Sequence, residues 1–400
     1  MRYPEVGRID PKIPTMKSFY VGFSVALTNF VVLIVALNLV LFIFFQHDVG
    51  SILSHNLRSS ETERSIENQL WPGWSEPELS QLISETVSVV RVENYDYDEI
   101  TQLRLRPQHS RYVNVEAPGF RRIRQQGPWP LDRSAINVFV FGGSTTFGLC
   151  MDDDDTIPSF LQELVGAGSR GQINVYNFGR PGYTSTQELL LYLSLLRGGF
   201  VPSVAVFIDG LNDSVEWMQT PTHGFPWPDA YVYAAIEAQK RSAWSLALQR
   251  SPMGDFAQWI SAKLPANRRP DVQSSPSEIR DSILKRWLEN RSSIAALSSA
   301  YRVKVAFVWQ PVAAYKYDLR YDMFRNYSQL ATEKYAPAVY LEIEKMEARG
   351  QLGENFLNLA GIQRDQKVNL YVDPWHYNKA FSREIASRIG NFLRNRQMLQ

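Results

Sequence analysis

Ile136-Asn137-Val138-Phe139-Val140-Phe141-Gly142-Gly143-Ser144-Thr145-Thr146 carries a mostly apolar run into two glycines and a serine. An apolar, β-branched run that breaks into paired glycines reads as a buried parallel strand ending in a tight turn. A serine at that point is lifted to the carboxyl edge of an open α/β sheet, where ligands bind in such folds. The glycines clear room for a substrate to reach backbone and hydroxyl together. The plain structural alternative for Ser144 is a helix cap.

Three later segments repeat the pattern. Asn177-Phe178-Gly179-Arg180-Pro181-Gly182-Tyr183-Thr184 follows the short run Ile173-Asn174-Val175-Tyr176, and Ile208-Asp209-Gly210-Leu211-Asn212-Asp213 follows Val204-Ala205-Val206-Phe207. Asp373-Pro374-Trp375-His376 precedes a helix-like segment near the C-terminus. In chain order these present Ser, Gly, Asn and His, each just past a strand or before a helix. On these blocks the chain resembles the SGNH (GDSL-type) hydrolase superfamily over roughly 136 to 395. The Gly-Leu-Asn-Asp and Asp-x-x-His elements are the most specific parts. The first block departs from the pattern, reading Gly142-Gly143-Ser144-Thr145 where the family has Gly-Asp-Ser. The serine is kept, and the missing aspartate is not a triad member. The resemblance implies carboxylic ester hydrolysis without a metal or organic cofactor.

The chemistry can be read from the residues alone. A serine hydroxyl is a weak nucleophile and needs a base, and the base needs a third group to hold its tautomer. The chain has five histidines, His47, His55, His109, His223 and His376. Only His376 is preceded at three residues by a carboxylate, Asp373, and followed by an amphipathic helix. The expected triad is therefore Ser144, His376 and Asp373. The expected oxyanion donors are the backbone N–H groups of Ser144 and Gly182 and the side-chain amide of Asn212. The bland readings are a turn glycine after Pro181 and an N-cap on a helix starting near Asp213. Their occurrence together and in order favours the catalytic assignment. Arg180, Tyr183, Gln310 and Trp375 stand beside the motifs and are candidate pocket residues.

Other motifs carry less. Asp152 to Asp155 precede Thr156-Ile157-Pro158 and an apolar-periodic stretch, so they read as helix-start acids rather than a cation site. Ser282-Ile283-Leu284-Lys285 matches a Ser-x-x-Lys spacing without partner motifs, a chance match. No His/Cys cluster has zinc spacing, so no metal is expected. Basic residues are dispersed and the formal net charge is +1, which argues against nucleic acid as a partner. The sole cysteine, Cys150, reads as a small buried apolar residue.

From Ser18 to His47 there is no Asp, Glu, Lys or Arg. A hydrocarbon core takes roughly 20 apolar residues, so residues 18–46 are expected to form one transmembrane helix. The run is too long for a cleavable signal. Arg2, Arg8, Lys12 and Lys17 precede it, so residues 1–17 are expected in the cytoplasm and the rest outside it, in the periplasm or at the cell surface. Residues 47–135 are expected to form a stalk, polar from Ser59 to Glu76, and an accessory segment. That segment carries a helix on Leu79, Leu82, Ile83, Val87 and Val90, then a small strand and turn at Tyr112–Val115 and Gly119–Arg121.

Residues 136–400 are expected to form the main domain. Strands at 136–142, 173–177, 204–208, 303–309 and 356–359 alternate with helices near 156–166, 185–197, 276–299 and 378–395. This predicts an α/β fold, a flavodoxin-like three-layer α/β/α sandwich with a five-stranded parallel sheet. An aromatic insertion at about 217–275 forms either a lid or groove over the site or a surface helical excursion. The expected function is a membrane-anchored, exported serine esterase acting on acetyl or short acyl esters of cell-surface glycans or on a lipid. The rivals are a polysaccharide O-acyltransferase using the same triad, and a non-catalytic scaffold in envelope polysaccharide assembly.

Overall fold

The computed structural model describes residues 16–45, 69–91, 94–166, 172–214, 275–325 and 335–400. The chain divides into two compact units. The described part of the first is one helix, α1 (Met16–Phe45). Its window Tyr20–Asn38 is long and apolar enough to cross a membrane, since thirty residues rising about 1.5 Å each exceed a hydrocarbon core of about 30 Å. The polar stretch 47–68, the tail 1–15 and the aromatic insertion at 217–275, but for its last residue, lie outside the described residues.

The second unit is built on a five-stranded parallel sheet of β3 (Ile136–Gly142), β4 (Ile173–Asn177), β5 (Val204–Asp209), β6 (Lys304–Trp309) and β7 (Phe356–Asn358). The spatial order is β4-β3-β5-β6-β7, with β3 at the point where the order reverses. That is the flavodoxin-like arrangement, and it places a crevice at the carboxyl ends of β3 and its neighbours. Val140 pairs with Val206 and Val206 with Ala306, so the registers align small apolar residues across the centre.

Every residue of β4 and β5 is buried, which explains why these strands read as continuous apolar runs rather than alternating ones. The two faces still differ. Val138, Val140, Val204, Val206, Ala306 and Val308 pack on one side with α4 (Ile157–Gly166) and α9 (Lys379–Asn395). Phe139, Phe141, Phe207, Phe307 and Trp309 pack on the other with α5 (Ser185–Arg197), α7 (Pro276–Ala300) and α8 (Ala336–Ala348). On that side Phe141 and Phe207 stack 4.7 Å apart at 10°, and Phe207 and Phe307 lie 5.9 Å apart. Each buried ring contributes roughly 1.5–3 kcal/mol over an exposed one, so this aromatic layer is a main stabiliser of the sheet.

Helix starts follow local chemistry. Ser275 and Glu278 form a capping box at α7, with Pro276 in its first turn. Asn378 caps α9 by accepting from the Phe381 N–H at 2.9 Å. The four aspartates do more than complement a helix end. Asp153 pairs with Arg121 at 3.0 Å and Asp155 with Lys379 at 2.8 Å, so they tie distant segments to the start of α4.

The accessory region belongs to the core. Its helix α2 (Glu76–Val90) buries Leu79, Leu82 and Val89, and Leu82 and Val89 are fully enclosed. The reading of Ser59 to Glu76 as a stalk is corrected where it can be seen: Leu70 and Trp71 are buried, and Trp74 packs on Tyr112 with ring centroids 4.9 Å apart. A hairpin of β1 (Tyr95–Asp98) and β2 (Gln102–Leu105) was not expected, although Leu103 and Leu105 alternate as a half-buried strand should. The segment Tyr112–Val115 forms single bridges rather than a strand, with Val115 paired to Gln108 and Arg121, and Arg121 to Asn177 at the end of β4. Helix α8 was also not expected. Its charged exterior hides a core stripe of Val339, Tyr340 and Ile343.

Candidate active site

Ser144 opens the four-residue helix α3 (Ser144–Phe147) directly after β3, with Gly143 as its N-cap. As a first helical residue its N–H has no intrahelical acceptor. Gly182 (φ +75°) sits in the loop after β4 and Asn212 in α6 (Leu211–Ser214) after β5. Asp373 and His376 lie in the connection between β7 and α9. All of these follow the carboxyl ends of strands, as the sheet order requires of a ligand-binding edge.

Ser144 Oγ is 2.8 Å from His376 Nε2, and His376 Nδ1 is 2.6 Å from Asp373 Oδ2. The three-residue spacing has a local reason. Asp373 Oδ1 accepts the backbone N–H groups of Trp375 and His376, each at 2.8 Å, folding the chain so that the histidine ring returns to the same carboxylate. The bond from Val372 N–H to His376 O at 2.9 Å closes this loop. Ser144, Asp373 and His376 are 8%, 7% and 8% exposed, so all three are buried. Burial alone would push the Asp373 carboxyl up, but the His376 charge and ring bond, with the two backbone donors, outweigh it and hold the group below its ordinary value. His109, the other described histidine, is exposed and far along the chain in the accessory region.

Of the oxyanion candidates, Asn212 lies against both the Gly143 backbone and the Tyr183 carbonyl next to Gly182. A Cβ at Gly143 would collide with the Asn212 amide, so glycine there lets Asn212 approach the Ser144 turn. Asn212 Nδ2 donates to the Tyr183 carbonyl at 2.7 Å, leaving its second N–H for another acceptor.

The four pocket candidates separate. Arg180 and Tyr183 are buried, and they point into the accessory region rather than lining an open pocket. Arg180 donates to the Tyr183 hydroxyl at 2.8 Å, and that hydroxyl donates to the Leu103 carbonyl of β2 at 2.6 Å. Gln310 accepts from Thr145, the residue after Ser144, at 2.8 Å. Trp375 is half-buried, with its ring centroid 6.4 Å from that of His376.

Cys150 is buried, as its sequence context suggested, but it also touches the site. Its thiol donates to Asp373 Oδ2 at 3.7 Å. Burial first, then the negative Asp373, push that thiol well up, so it remains a protonated donor. Its backbone is left-handed (φ +66°), a conformation that persists only when surroundings over-determine it. Trp71 supplies one restraint by donating to the Cys150 carbonyl at 3.0 Å. Cys150, Asp373 and His376 hold donor atoms within 4.8 Å of one another, the grouping among the described residues that a cation could use. The ring nitrogens are engaged by Ser144 and Asp373 and the thiol is protonated, so these contacts suit proton transfer better than ligation.

A second buried group was not found from sequence. Glu188, Asp209 and Asp213 are 1%, 4% and 1% exposed at the ends of α5, β5 and α6. Burial, then Asp213, push Asp209 up to about 7, and burial, Asp209 and Asp213 push Glu188 well up. A folded carboxyl with a raised pKa keeps a proton that the unfolded chain releases, so this stability is present at acid pH and lost as pH rises from about 4 through 7. Asp209→Asn is expected to flatten that loss, read as the urea midpoint at pH 5 and pH 8. An unchanged difference between the two midpoints would contradict it.

No family model matches the chain, and no curated protein matches it. Solved structures do. A lipolytic protein of the G-D-S-L family from Desulfitobacterium hafniense is similar at 11% identity and TM-score 0.35, over 64% of this chain and 99% of that one. A lipase/acylhydrolase from Enterococcus faecalis is similar at 15% identity and TM-score 0.33, over 65% and 96%. The psychrotrophic esterase EstA from Pseudoalteromonas sp. is similar at 11% identity and TM-score 0.32, over 66% and 98%.

Proposed function

We propose that this chain is a membrane-anchored serine esterase whose catalytic unit lies outside the cytoplasm. The observation that carries the reading is the continuous relay Ser144–His376–Asp373, at 2.8 and 2.6 Å, on the carboxyl edge of the sheet. Ser144 Oγ attacks the ester carbonyl as His376 Nε2 takes the hydroxyl proton. The carbonyl oxygen becomes an oxyanion held by the N–H groups of Ser144 and Gly182 and the amide of Asn212. Collapse expels the alkoxide, which takes the proton from His376, and leaves an acyl group on Ser144. Water, deprotonated by His376, then attacks that acyl group, and collapse breaks the bond to Ser144 Oγ, which takes the proton back from His376 as the carboxylic acid leaves. Asp373 stays ionised throughout and stabilises the imidazolium.

The substrate is a carboxylic ester of acetyl or short acyl length, and an anchored, exported position points to acylated surface glycans. Helix α1, with Arg2, Arg8, Lys12 and Lys17 before it, supports a cytoplasmic N-terminus and an exported domain. The test is hydrolysis of p-nitrophenyl acetate and butyrate by the full-length chain in detergent, beside Ser144→Ala. Hydrolysis of both esters should fall to background in that variant. Asn212→Ala is expected to lower kcat by about a hundred- to a thousandfold, the usual cost of one oxyanion donor. Equal rates for wild type and Ser144→Ala would refute the esterase reading.

A further inference from the structure

Gly182 stands in the loop after β4 and Asn212 in α6 after β5, so some contact between these two connections must set the distance between them. Backbone amides and a side-chain amide stabilise an oxyanion only if they converge to about hydrogen-bond length at once. Two contacts join the loops. One is the bond from Asn212 Nδ2 to the Tyr183 carbonyl. The other runs through Asp213, which is 1% exposed. Its Oδ1 accepts from Ser185 Oγ at 2.7 Å and its Oδ2 from the Ser185 N–H at 3.4 Å.

This second bridge is braced from α7. Asn290 donates to Ser185 Oγ at 2.9 Å, and Arg286 donates to the Asp213 carbonyl at 3.3 Å. Burying a carboxylate costs free energy unless it is well bonded, and a neutral side chain could fill the same space at less cost. Asp213 nevertheless sits one residue from Asn212, and Ser185 three from Gly182.

We propose that Asp213 is a positioning residue of the esterase, fixing through Ser185 the spacing between the Gly182 and Asn212 donors. The proposal rests on the serine-esterase reading above. Asp213 touches no reacting atom, and its effect passes through the two loops it joins. Losing the bridge lets the oxyanion donors drift apart and leaves the Ser144–His376–Asp373 relay unaltered.

The test compares full-length wild type, Ser185→Ala, Asp213→Asn, Ser185→Thr and the double variant Ser185→Ala/Asp213→Asn. Readouts are kcat and KM for p-nitrophenyl acetate, the labelling rate of Ser144 by a fluorophosphonate, and the melting temperature. Ser185→Ala and Asp213→Asn should each lower kcat about ten- to a hundredfold, with KM within about threefold and phosphonate labelling falling in parallel. The double variant should be no worse than the more damaged single one, because both remove one bridge. Ser185→Thr keeps the hydroxyl and should recover most of the rate. Variants that lose thermal stability but retain wild-type kcat below their melting temperature would overturn the proposal, as would additive losses in the double variant. Should Asp213→Asn fail to fold, Ser185→Ala and Ser185→Thr decide the matter. Absence of Ser144-dependent hydrolysis in the wild type would strike the esterase reading itself, a result distinct from wild-type activity that the bridge variants leave untouched.

Discussion

Asp373→Asn is expected to lower kcat for ester hydrolysis by about four orders of magnitude with KM little changed. The amide oxygen of the variant can still accept the Trp375 and His376 N–H groups that now meet Oδ1. The loop should therefore keep its shape. The amide nitrogen would then face His376 Nδ1 and donate to it, moving the ring proton to Nε2. A histidine protonated at Nε2 cannot take the proton of Ser144. The loss is one of tautomer rather than of folding. Steady-state kinetics with a melting curve checks both parts, and a variant within tenfold of wild-type kcat would contradict the role given to Asp373. The same substitution should also alter acid stability. Because the folded carboxyl is held below its ordinary value, it adds stability above about pH 4 that is lost as pH falls below it. Asp373→Asn removes that dependence.

Arg121→Ala is expected to destabilise the second unit by about 3–5 kcal/mol, the usual cost of stripping one partner from a buried ion pair. The Arg121 side chain is 0% exposed, and Nε donates to Asp153 at 3.0 Å. Its remaining nitrogens donate to the carbonyls of Phe147, Gly148 and Met151 at 2.8, 2.6 and 2.6 Å. One guanidinium thus holds the turn from Phe147 to Met151, which follows Ser144 and includes Cys150, whose thiol meets Asp373. Burial pushes Asp153 up, against the pull of Arg121 and Asn114. Without the arginine it is left as an uncompensated carboxylate, so the loss should be greatest at neutral pH and smaller in acid, where Asp153 takes up a proton. Urea unfolding at pH 5 and pH 7.5 measures this. A loss under about 1 kcal/mol at neutral pH would contradict it. Arg121→Lys should recover little, since an ammonium cannot serve four acceptors in a plane.

Much of the sheet was legible because its strands are buried on both faces. Such strands must be continuously apolar, and each ends in glycines or a polar turn at the ligand edge, so β3, β4, β5 and β6 stand out within a residue of their bounds. The Asp373-x-x-His376 pair was legible because the geometry is local, a carboxylate catching its own backbone three residues on. The hairpin of β1 and β2 was missed because Tyr95 to Asp98 carry two acids, and α8 because its polar face outweighs a stripe of three core residues.

The rest of the site depends on contacts that no local pattern announces. Cys150 meets Asp373 across 223 positions, and Trp71 meets Cys150 across 79. The carboxylates Glu188, Asp209 and Asp213 each stand in an ordinary local context, and only the fold gathers them. Arg180 and Tyr183 adjoin the Gly182 motif in sequence, yet their side chains turn away to clasp β2. Adjacency to a motif locates the backbone, not the direction of the side chain.

The proposed role of Ser144 can be tested by covalent trapping. Full-length wild type and His376→Ala would be treated with a fluorophosphonate and the adduct mapped by peptide mass spectrometry. A single adduct on the peptide bearing Ser144 is expected in the wild type, formed at least about a hundredfold more slowly without the base. A wild type left unlabelled at Ser144, or labelled there equally fast in both proteins, would contradict it.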